Sequence, residues 1–175
     1  MFVEMLHIER LSISPEKENV PEALLAELKV KIPGRQLGCE GVALFPVGIE
    51  SISDITIYEG VLYPLVAYKL VAYRAFPGEI LKCVVEKQDA TGVYLRHPLI
   101  PEVLVPSSQL PVPSQLETLP GKSGKYAELW AWKYDGALLY IRPGDLCKVR
   151  VIKTVASGTV YADISESGLG PLGWW

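Results

Sequence analysis

The residues of this chain that could bind a metal are few and far apart. Cys39, Cys83 and Cys147 are separated by 44 and 64 residues, and the chain has two histidines, His7 and His97. Structural zinc sites use closely spaced Cys and His pairs, which this sequence lacks. Separate cysteines in apolar surroundings are typical of buried free thiols in a reducing compartment. The sequence therefore predicts no metal site, and nothing in it indicates another cofactor.

Residues with the spacing of a catalytic site are equally scarce. Ser107 and Ser108 have no histidine close to them in the sequence, although a distant histidine could approach them in the folded chain. The glycine-rich stretch 168–173 (GLGPLG) lacks the strand-to-helix context of a nucleotide-binding loop. We therefore expect a protein without an active site of its own.

Aromatic and basic residues at spacing two could contact nucleic acid. Trp130, Trp132 and Tyr134 share one face of a predicted strand. Such a row can stack single-stranded bases, or it can form an apolar face that packs on the domain or on a partner. The mixed charge around it favours packing. In a later strand, Lys148, Arg150 and Lys153 are interleaved with valines, which predicts a basic face.

The composition limits the kinds of partner and the number of domains. A formal net charge of −3 and a pI near 5.5 give no general attraction to nucleic acid, so any such contact must be local or assisted by a partner. With 175 residues, 49% of them apolar, the chain can bury one substantial core or two small ones. No stretch has the apolar length of a membrane span, and residues 1–10 lack the apolar core of a secretory signal. We expect a soluble cytosolic or nuclear protein.

The elements that position these residues are organised around the stretch 76–97. Pro77-Gly78 ends a long apolar run, and a hairpin is predicted after it, with strands at 79–87 and 92–97. Gly78 and Gly92 are expected to provide the backbone conformation and close approach needed where a small barrel bends. OB and S1 barrels begin in this way. The prediction is therefore two domains, 1–77 and 78–175.

The first domain is predicted to be α+β, with one helix on an antiparallel sheet. Residues 2–13 alternate as a strand, with His7 and Glu9 facing outward. Pro21 opens a helix that continues to Ile32, where the following Pro33-Gly34 pair ends it. Further strands are predicted at 41–47, 53–58 and 62–76, with an irregular connection at 50–54.

The second domain is predicted to be an all-β barrel. A third strand is centred on 103–105, and 111–126 is rich in Pro, Ser and Gly and so predicts a surface loop. A hairpin is expected over 127–141 with its turn at Asp135-Gly136. Two more strands are predicted within 144–156 and 159–164. Trp174 and Trp175 are expected to pack internally; the alternative is that they dock a partner.

With these segments placed, the chain resembles the larger stalk subunit of eukaryotic RNA polymerases, and most closely that of RNA polymerase III. Related proteins are the stalk subunit of RNA polymerase II and the archaeal E subunit. The resemblance rests on MFVEM at the start, AFPGEI at the junction, EVLVPSSQL, WAWKY and above all the closing ISESGLGPLGWW. It extends over essentially the whole length.

The resemblance implies a nuclear, non-catalytic subunit with an N-terminal tip domain and a C-terminal OB/S1-like barrel. Such a subunit pairs with a smaller helical stalk subunit, docks on the polymerase core, acts in transcription initiation and lies near the nascent RNA. The alternative is a free-standing S1/OB RNA-binding protein of translation or RNA decay. A protein of that class would function alone, whereas a stalk subunit should expose a large apolar surface for its partner.

The barrel departs from the S1 pattern at two positions. Thr91 stands where S1 barrels usually have an aromatic residue, and Pro106 where they often have a histidine, but Tyr94 occupies the second aromatic position. We therefore expect weak binding of single-stranded or nascent RNA, with a base stacked on Tyr94. The phosphates would be bound by the basic residues of the barrel strands, Lys82, Lys87, Arg96, Lys148 and Arg150.

Overall fold

A computed structural model of the chain describes residues 1–17, 19–120 and 126–175. The chain divides into two compact units, Met1–Arg74 and Ala75–Trp175. Both are built mainly of β-strands, and the α-helix of the described residues lies in the first unit. The predicted combination of one helix, antiparallel strands and an OB-like barrel is confirmed. No helix in the described part of the chain is long and apolar enough to cross a membrane.

The first unit is a three-stranded antiparallel sheet with one helix packed against it. In chain order its elements are β1 (Phe2–Arg10), α1 (Val20–Lys31), a 3₁₀ turn (Gly38–Glu40), β2 (Val42–Tyr58) and β3 (Val61–Tyr73). The strand order is β1-β3-β2, so β3 is central. Alternate residues of β3 on one face, Val66, Tyr68, Leu70 and Ala72, are completely buried beneath the helix.

The helix follows the local signals in its sequence. The side chain of Asn19 accepts a hydrogen bond from the backbone N–H of Glu22, which caps the first turn. Leu24, Leu28 and Ile32 recur at spacing four and are fully buried against the sheet. The helix ends immediately before the predicted Pro33-Gly34 stop.

The predicted orientation of β1 is wrong. His7 and Glu9 lie on the side that faces the helix, since their neighbours across the strand pair are Tyr68 and Val66. The residues that alternate with them therefore face outward. On the helix side, Val3 and Met5 pack against the core and Glu9 is hydrogen-bonded to Tyr68 and Arg35. A shift by one residue would turn every side chain of the strand over.

The two strands predicted between 41 and 58 are one continuous strand, and the predicted irregular connection at 50–54 lies inside it. The pairing of β2 with β3 shifts register several times, including between Ile49 and Ser51 and between Ser53 and Thr56. Asp54 has a φ of 47°, a left-handed conformation. The loop-like composition of this segment therefore corresponds to β-bulges rather than to the end of a strand.

Nine strands are found among the described residues of the second unit. They are β4 (Ile80–Asp89), β5 (Gly92–His97), β6 (Ile100–Pro106), β7 (Ser114–Pro120), β8 (Tyr126–Tyr134), β9 (Ala137–Tyr140), β10 (Leu146–Thr154), β11 (Val160–Asp163) and β12 (Gly170–Pro171), with 3₁₀ turns at Ser107–Gln109 and Leu172–Trp174. Five of them close into a barrel in the order β4-β5-β6-β11-β10, and β10 pairs again with β4. The β6–β11 pair is parallel and the others are antiparallel.

Gly92 shows why a glycine stands at the bend between β4 and β5. Its φ is 152°, and a Cβ placed there would lie 2.1 Å from the carbonyl oxygen of Val105. The close approach expected at Gly92 is therefore observed. Gly78 also has a positive φ, but the space around it is open, so only its conformation requires glycine.

A three-stranded sheet, β7-β8-β9, is inserted between the third and fourth strands of the barrel. The prediction of a surface loop over 111–126 is therefore wrong for Ser114–Pro120, because this segment is a strand that pairs with β8. Residues 121–125 of the predicted loop lie outside the described residues. Edge strands tolerate proline and polar residues, which explains the loop-like composition. The predicted hairpin turn is confirmed, since Asp135 and Gly136 have φ values of 46° and 77°.

Candidate functional site

The six residues predicted to contact RNA lie on the outer surface of three adjacent barrel strands. In the sheet, β10, β4 and β5 are neighbours, and Lys148 of β10 is directly opposite Lys82 of β4. Arg96 of β5 is opposite Val84, two residues further along β4. We call this set the basic barrel face: Lys82, Lys87, Tyr94, Arg96, Lys148 and Arg150.

The central part of this face concentrates positive charge. No described residue forms a salt bridge with Lys82, Arg96 or Lys148. Like charges directly opposite each other across two strands destabilise the pairing. The repulsion between Lys82 and Lys148 would be relieved by an anion lying across the two strands, such as a phosphate.

Tyr94 is already in contact with a cation. The Nζ atom of Lys87 lies 4.5 Å from the centre of the Tyr94 ring, in the range of a cation–π contact. The Tyr94 hydroxyl lies 2.9 Å from Oγ1 of Thr91, whose hydroxyl donates to Asp89. This hydrogen bond from Thr91 lowers the pKa of Asp89. A base that stacks on the face covered by Lys87 would have to displace that side chain.

Arg150 differs from the other cations of the face because it has a partner. Its guanidinium donates to the carboxylate of Glu166, and this hydrogen bond raises the pKa of Arg150. A phosphate would have to compete with Glu166 for this side chain. We therefore expect Arg150 to contribute less to anion binding than Lys82 or Lys148.

The first unit carries an exposed apolar surface of the kind that the resemblance to a stalk subunit predicts, but the sequence did not show which residues form it. Phe2, Leu6 and Ile8 of β1 face away from the helix, with 63%, 58% and 57% of their surfaces exposed. Phe45 of β2 is 52% exposed and lies opposite Val71 on the same side. We call this the open sheet face: Phe2, Leu6, Ile8, Ala67, Val71 and Phe45. The spacing of Phe2, Leu6 and Ile8 indicates that they share one face of β1. The sequence does not show that this face is exposed, because Val3 and Met5 make the opposite face apolar as well.

The charged residues on the same side of the sheet are paired with one another. Lys69 lies 3.0 Å from a carboxylate oxygen of Glu50 and 4.0 Å from one of Glu4. Arg10 donates to Asp54. The surface is therefore apolar with locally balanced charge, which is typical of a protein contact.

A hydrogen-bonded group on the opposite side of the sheet holds β1 in this orientation. The hydroxyl of Tyr68 donates to Glu9 over 2.5 Å, and Nη1 of Arg35 lies 2.8 Å from both carboxylate oxygens of Glu9. Burial opposes ionisation of Glu9, but the hydrogen bonds from Tyr68 and Arg35 outweigh it and lower its pKa. Burial and the bond to Glu9 raise the pKa of Tyr68, so the phenol stays protonated and donates.

Only part of the prediction for the cysteines is correct. Cys83 and Cys147, the core cysteine pair, are buried free thiols that lie opposite each other on β4 and β10. Burial raises the pKa of each to about 12. Cys39 is exposed, in the 3₁₀ turn that follows α1. Among the described residues, no group of three or more His, Cys, Asp and Glu side chains is placed to hold a metal ion.

The two terminal tryptophans differ in their contacts and in their exposure. The indole N–H of Trp174 donates to the carbonyl of Tyr140, and its ring packs on Trp132 with a centroid distance of 5.4 Å. Trp174 is therefore anchored within the second unit, as predicted. Trp175 is held by a bond from its indole to the Leu169 carbonyl, but 56% of its surface is exposed.

No protein-family model matches the chain, and no curated protein is similar to it in sequence. The likeness to polymerase stalk subunits therefore stays a prediction, which rests on the sequence motifs given above.

Proposed function

We propose that this chain is the larger stalk subunit of a eukaryotic RNA polymerase, of the polymerase III type. Its first unit would serve as the tip domain, pairing with a smaller helical stalk subunit and docking on the polymerase core. The chain would act in the nucleus, in transcription initiation, as a subunit without its own catalytic site. The basic barrel face would contact nascent RNA weakly.

The observation that carries the proposal is the open sheet face. A sheet covered on one side by a helix normally presents polar side chains to water on the other. Here Phe2, Leu6 and Ile8 occupy those positions, and each is more than half exposed. The free energy gained by covering apolar side chains is proportional to the area removed from water, so an apolar partner surface would be stabilised on this face. An obligate subunit has this property, whereas a protein that functions alone has no need of it.

The basic barrel face supports the second part of the proposal. Lys82, Arg96 and Lys148 lie together on an otherwise acidic chain with a net charge of −3. Three cations with one partly covered aromatic ring favour phosphate contacts over base recognition. This fits a subunit that meets RNA of any sequence as it leaves an enzyme.

Co-expression with a smaller helical stalk subunit of RNA polymerase III tests the docking role. We expect the wild-type pair to elute together in size-exclusion chromatography. Leu6→Glu and Ile8→Glu place a charge in the open sheet face and should separate the pair. The matched control is Val30→Glu, because Val30 is 82% exposed on α1, on the other side of the sheet. This variant should still bind the partner.

Two outcomes would contradict the proposal. One is a monodisperse chain that does not bind the stalk partner at micromolar concentration. The other is equal binding by the Ile8→Glu and Val30→Glu variants. If the chain binds no partner but does bind single-stranded RNA through the basic barrel face, a free-standing RNA-binding protein is the better description.

A further inference from the structure

Four aromatic side chains form a pocket in the second unit. It has a volume of about 300 Å³, and its wall includes Trp132 and Tyr134 of β8 together with Trp174 and Trp175. Pro111 and Glu166 also line it. We call it the aromatic pocket. Its aromatic residues belong neither to the basic barrel face nor to the open sheet face.

The four rings form one cluster around Trp132, and their planes are inclined rather than parallel. The plane of Trp132 is inclined by 40° to that of Tyr134, by 42° to that of Trp174 and by 45° to that of Trp175, with centroid distances from 4.7 to 6.3 Å. Parallel rings would cover one another, whereas inclined rings leave part of each face available to a ligand.

The backbone fixes two of these rings before any ligand arrives. The indole groups of Trp174 and Trp175 donate to the carbonyls of Tyr140 and Leu169. A Cβ at Gly170 would lie 2.8 Å from the Trp174 ring, so glycine is needed for the ring to lie where it does. The pocket is therefore pre-formed, which reduces the entropy lost on binding.

The electrostatics of the pocket favour a cation. The faces of aromatic rings carry partial negative charge, and no Lys, Arg or His is found among the described residues that line the pocket. Glu166, at its edge, is the charged group in that lining, and it is an acid. The nearest established cation is Arg150, and its guanidinium is already bonded to Glu166.

We propose that the aromatic pocket binds the quaternary ammonium group of a trimethylated lysine on a partner protein. The carboxylate of Glu166 is already bonded to Arg150, so a primary ammonium would lose its water without gaining a free acid in exchange. A trimethylammonium group has no N–H donors to satisfy and is attracted by ring faces alone. Phosphocholine carries the same ammonium group but also a phosphate, and the described lining contains no cation to bind that phosphate. The side-chain stem of a trimethylated lysine is uncharged and needs no such partner. This inference does not depend on the proposed polymerase role.

The first experiment compares a cation with its neutral isostere on the intact chain. Nα-acetyl-Nε-trimethyl-lysine amide is titrated by calorimetry and by tryptophan fluorescence, alongside an analogue in which carbon replaces the quaternary nitrogen. We expect the neutral analogue to bind at least about tenfold more weakly, because it lacks the cation–π attraction. Equal affinity of the two would overturn the proposal, as would no binding of the ammonium probe at millimolar concentration. Tighter binding of phosphocholine would overturn the assignment to a lysine side chain.

The second experiment changes one ring without disturbing the fold. Tyr134 is 54% exposed, so its replacement should be tolerated. Tyr134→Phe keeps the ring face and should retain affinity for the ammonium probe, whereas Tyr134→Leu should lower it at least about threefold. Tyr58→Leu, at an exposed tyrosine of the first unit, is the control outside the pocket and should have no effect. Equal losses in Tyr134→Phe and Tyr134→Leu would show that the hydroxyl, and not the ring, holds the ligand, and the proposal would fail.

Discussion

The hydrogen bonds among Glu9, Tyr68 and Arg35 should contribute to the stability of the first unit, and a single substitution can test this. Removing the Tyr68 hydroxyl in Tyr68→Phe keeps the buried ring but deletes a 2.5 Å hydrogen bond to a carboxylate. Hydrogen bonds to charged groups contribute about 1.5–3 kcal/mol to stability. We therefore expect Tyr68→Phe to lower the free energy of unfolding of this unit by that amount at pH 7.

The pH dependence follows from the sign of the Glu9 shift. The folded state lowers the pKa of Glu9 below its ordinary value of 4.5, so the folded chain favours the carboxylate. The resulting stabilisation is complete above pH 4.5 and is lost as the pH falls through the lower, folded-state pKa. In Tyr68→Phe one of the causes of the lowering is gone, so the wild type and the variant should converge as Glu9 is protonated.

Urea unfolding followed by circular dichroism at 222 nm measures the effect, because the α-helix of the described chain belongs to this unit. All four tryptophans lie in the second unit, so their fluorescence reports separately on the barrel and should not change. The control is Tyr58→Phe, at an exposed tyrosine of the same unit. A double-mutant cycle with Glu9→Gln isolates the pair. A loss no larger than that of Tyr58→Phe, or one that stays constant down to pH 3, would refute the reasoning.

Three other predictions concern RNA binding, the cysteines and the terminal tryptophans. Lys148→Glu should make the slope of log K against log salt concentration for single-stranded RNA less steep by about 0.7 per lost phosphate contact. Tyr94→Ala should lower the binding free energy by about 1–3 kcal/mol if a base stacks there. Unchanged binding of both variants would exclude the basic barrel face as the RNA site. A thiol reagent at pH 8 should modify the exposed Cys39 rapidly. The core cysteine pair should react only after unfolding, because burial raises the pKa of both thiols to about 12. Mass spectrometry of the labelled chain shows which cysteines have reacted. Trp174→Ala removes a ring that packs on Trp132 and should cost up to about 3–5 kcal/mol, seen as a lower melting temperature of the barrel; an unchanged melting temperature would show that Trp174 is not structural.

Several elements could be predicted from the sequence because their signals are local. The helix was indicated by an early proline, apolar residues on one face and the Pro33-Gly34 stop, and the Asn19 cap was added by the structure. The turn at Asp135-Gly136 and the bend at Gly92 depend on backbone conformations that few residues adopt, so the residue types themselves indicated them. Alternation likewise groups Lys148 with Arg150 and Tyr94 with Arg96, whereas Lys87 joins Lys82 on one side of β4 because of the bulge between Val85 and Lys87.

The orientation of β1 could not be predicted in this way, because its two faces are both partly apolar. The choice depended on Arg35 and Tyr68, which lie 26 and 59 residues from Glu9 in the sequence and meet it only in the folded chain. The continuity of β2 similarly depended on its pairing with β3, which absorbed a loop-like segment as bulges. The aromatic pocket required Trp132 to meet Trp174 from another part of the unit. Periodicity within one strand tells which residues share a face, but only packing against distant residues decides which face is covered, and the open sheet face is the consequence.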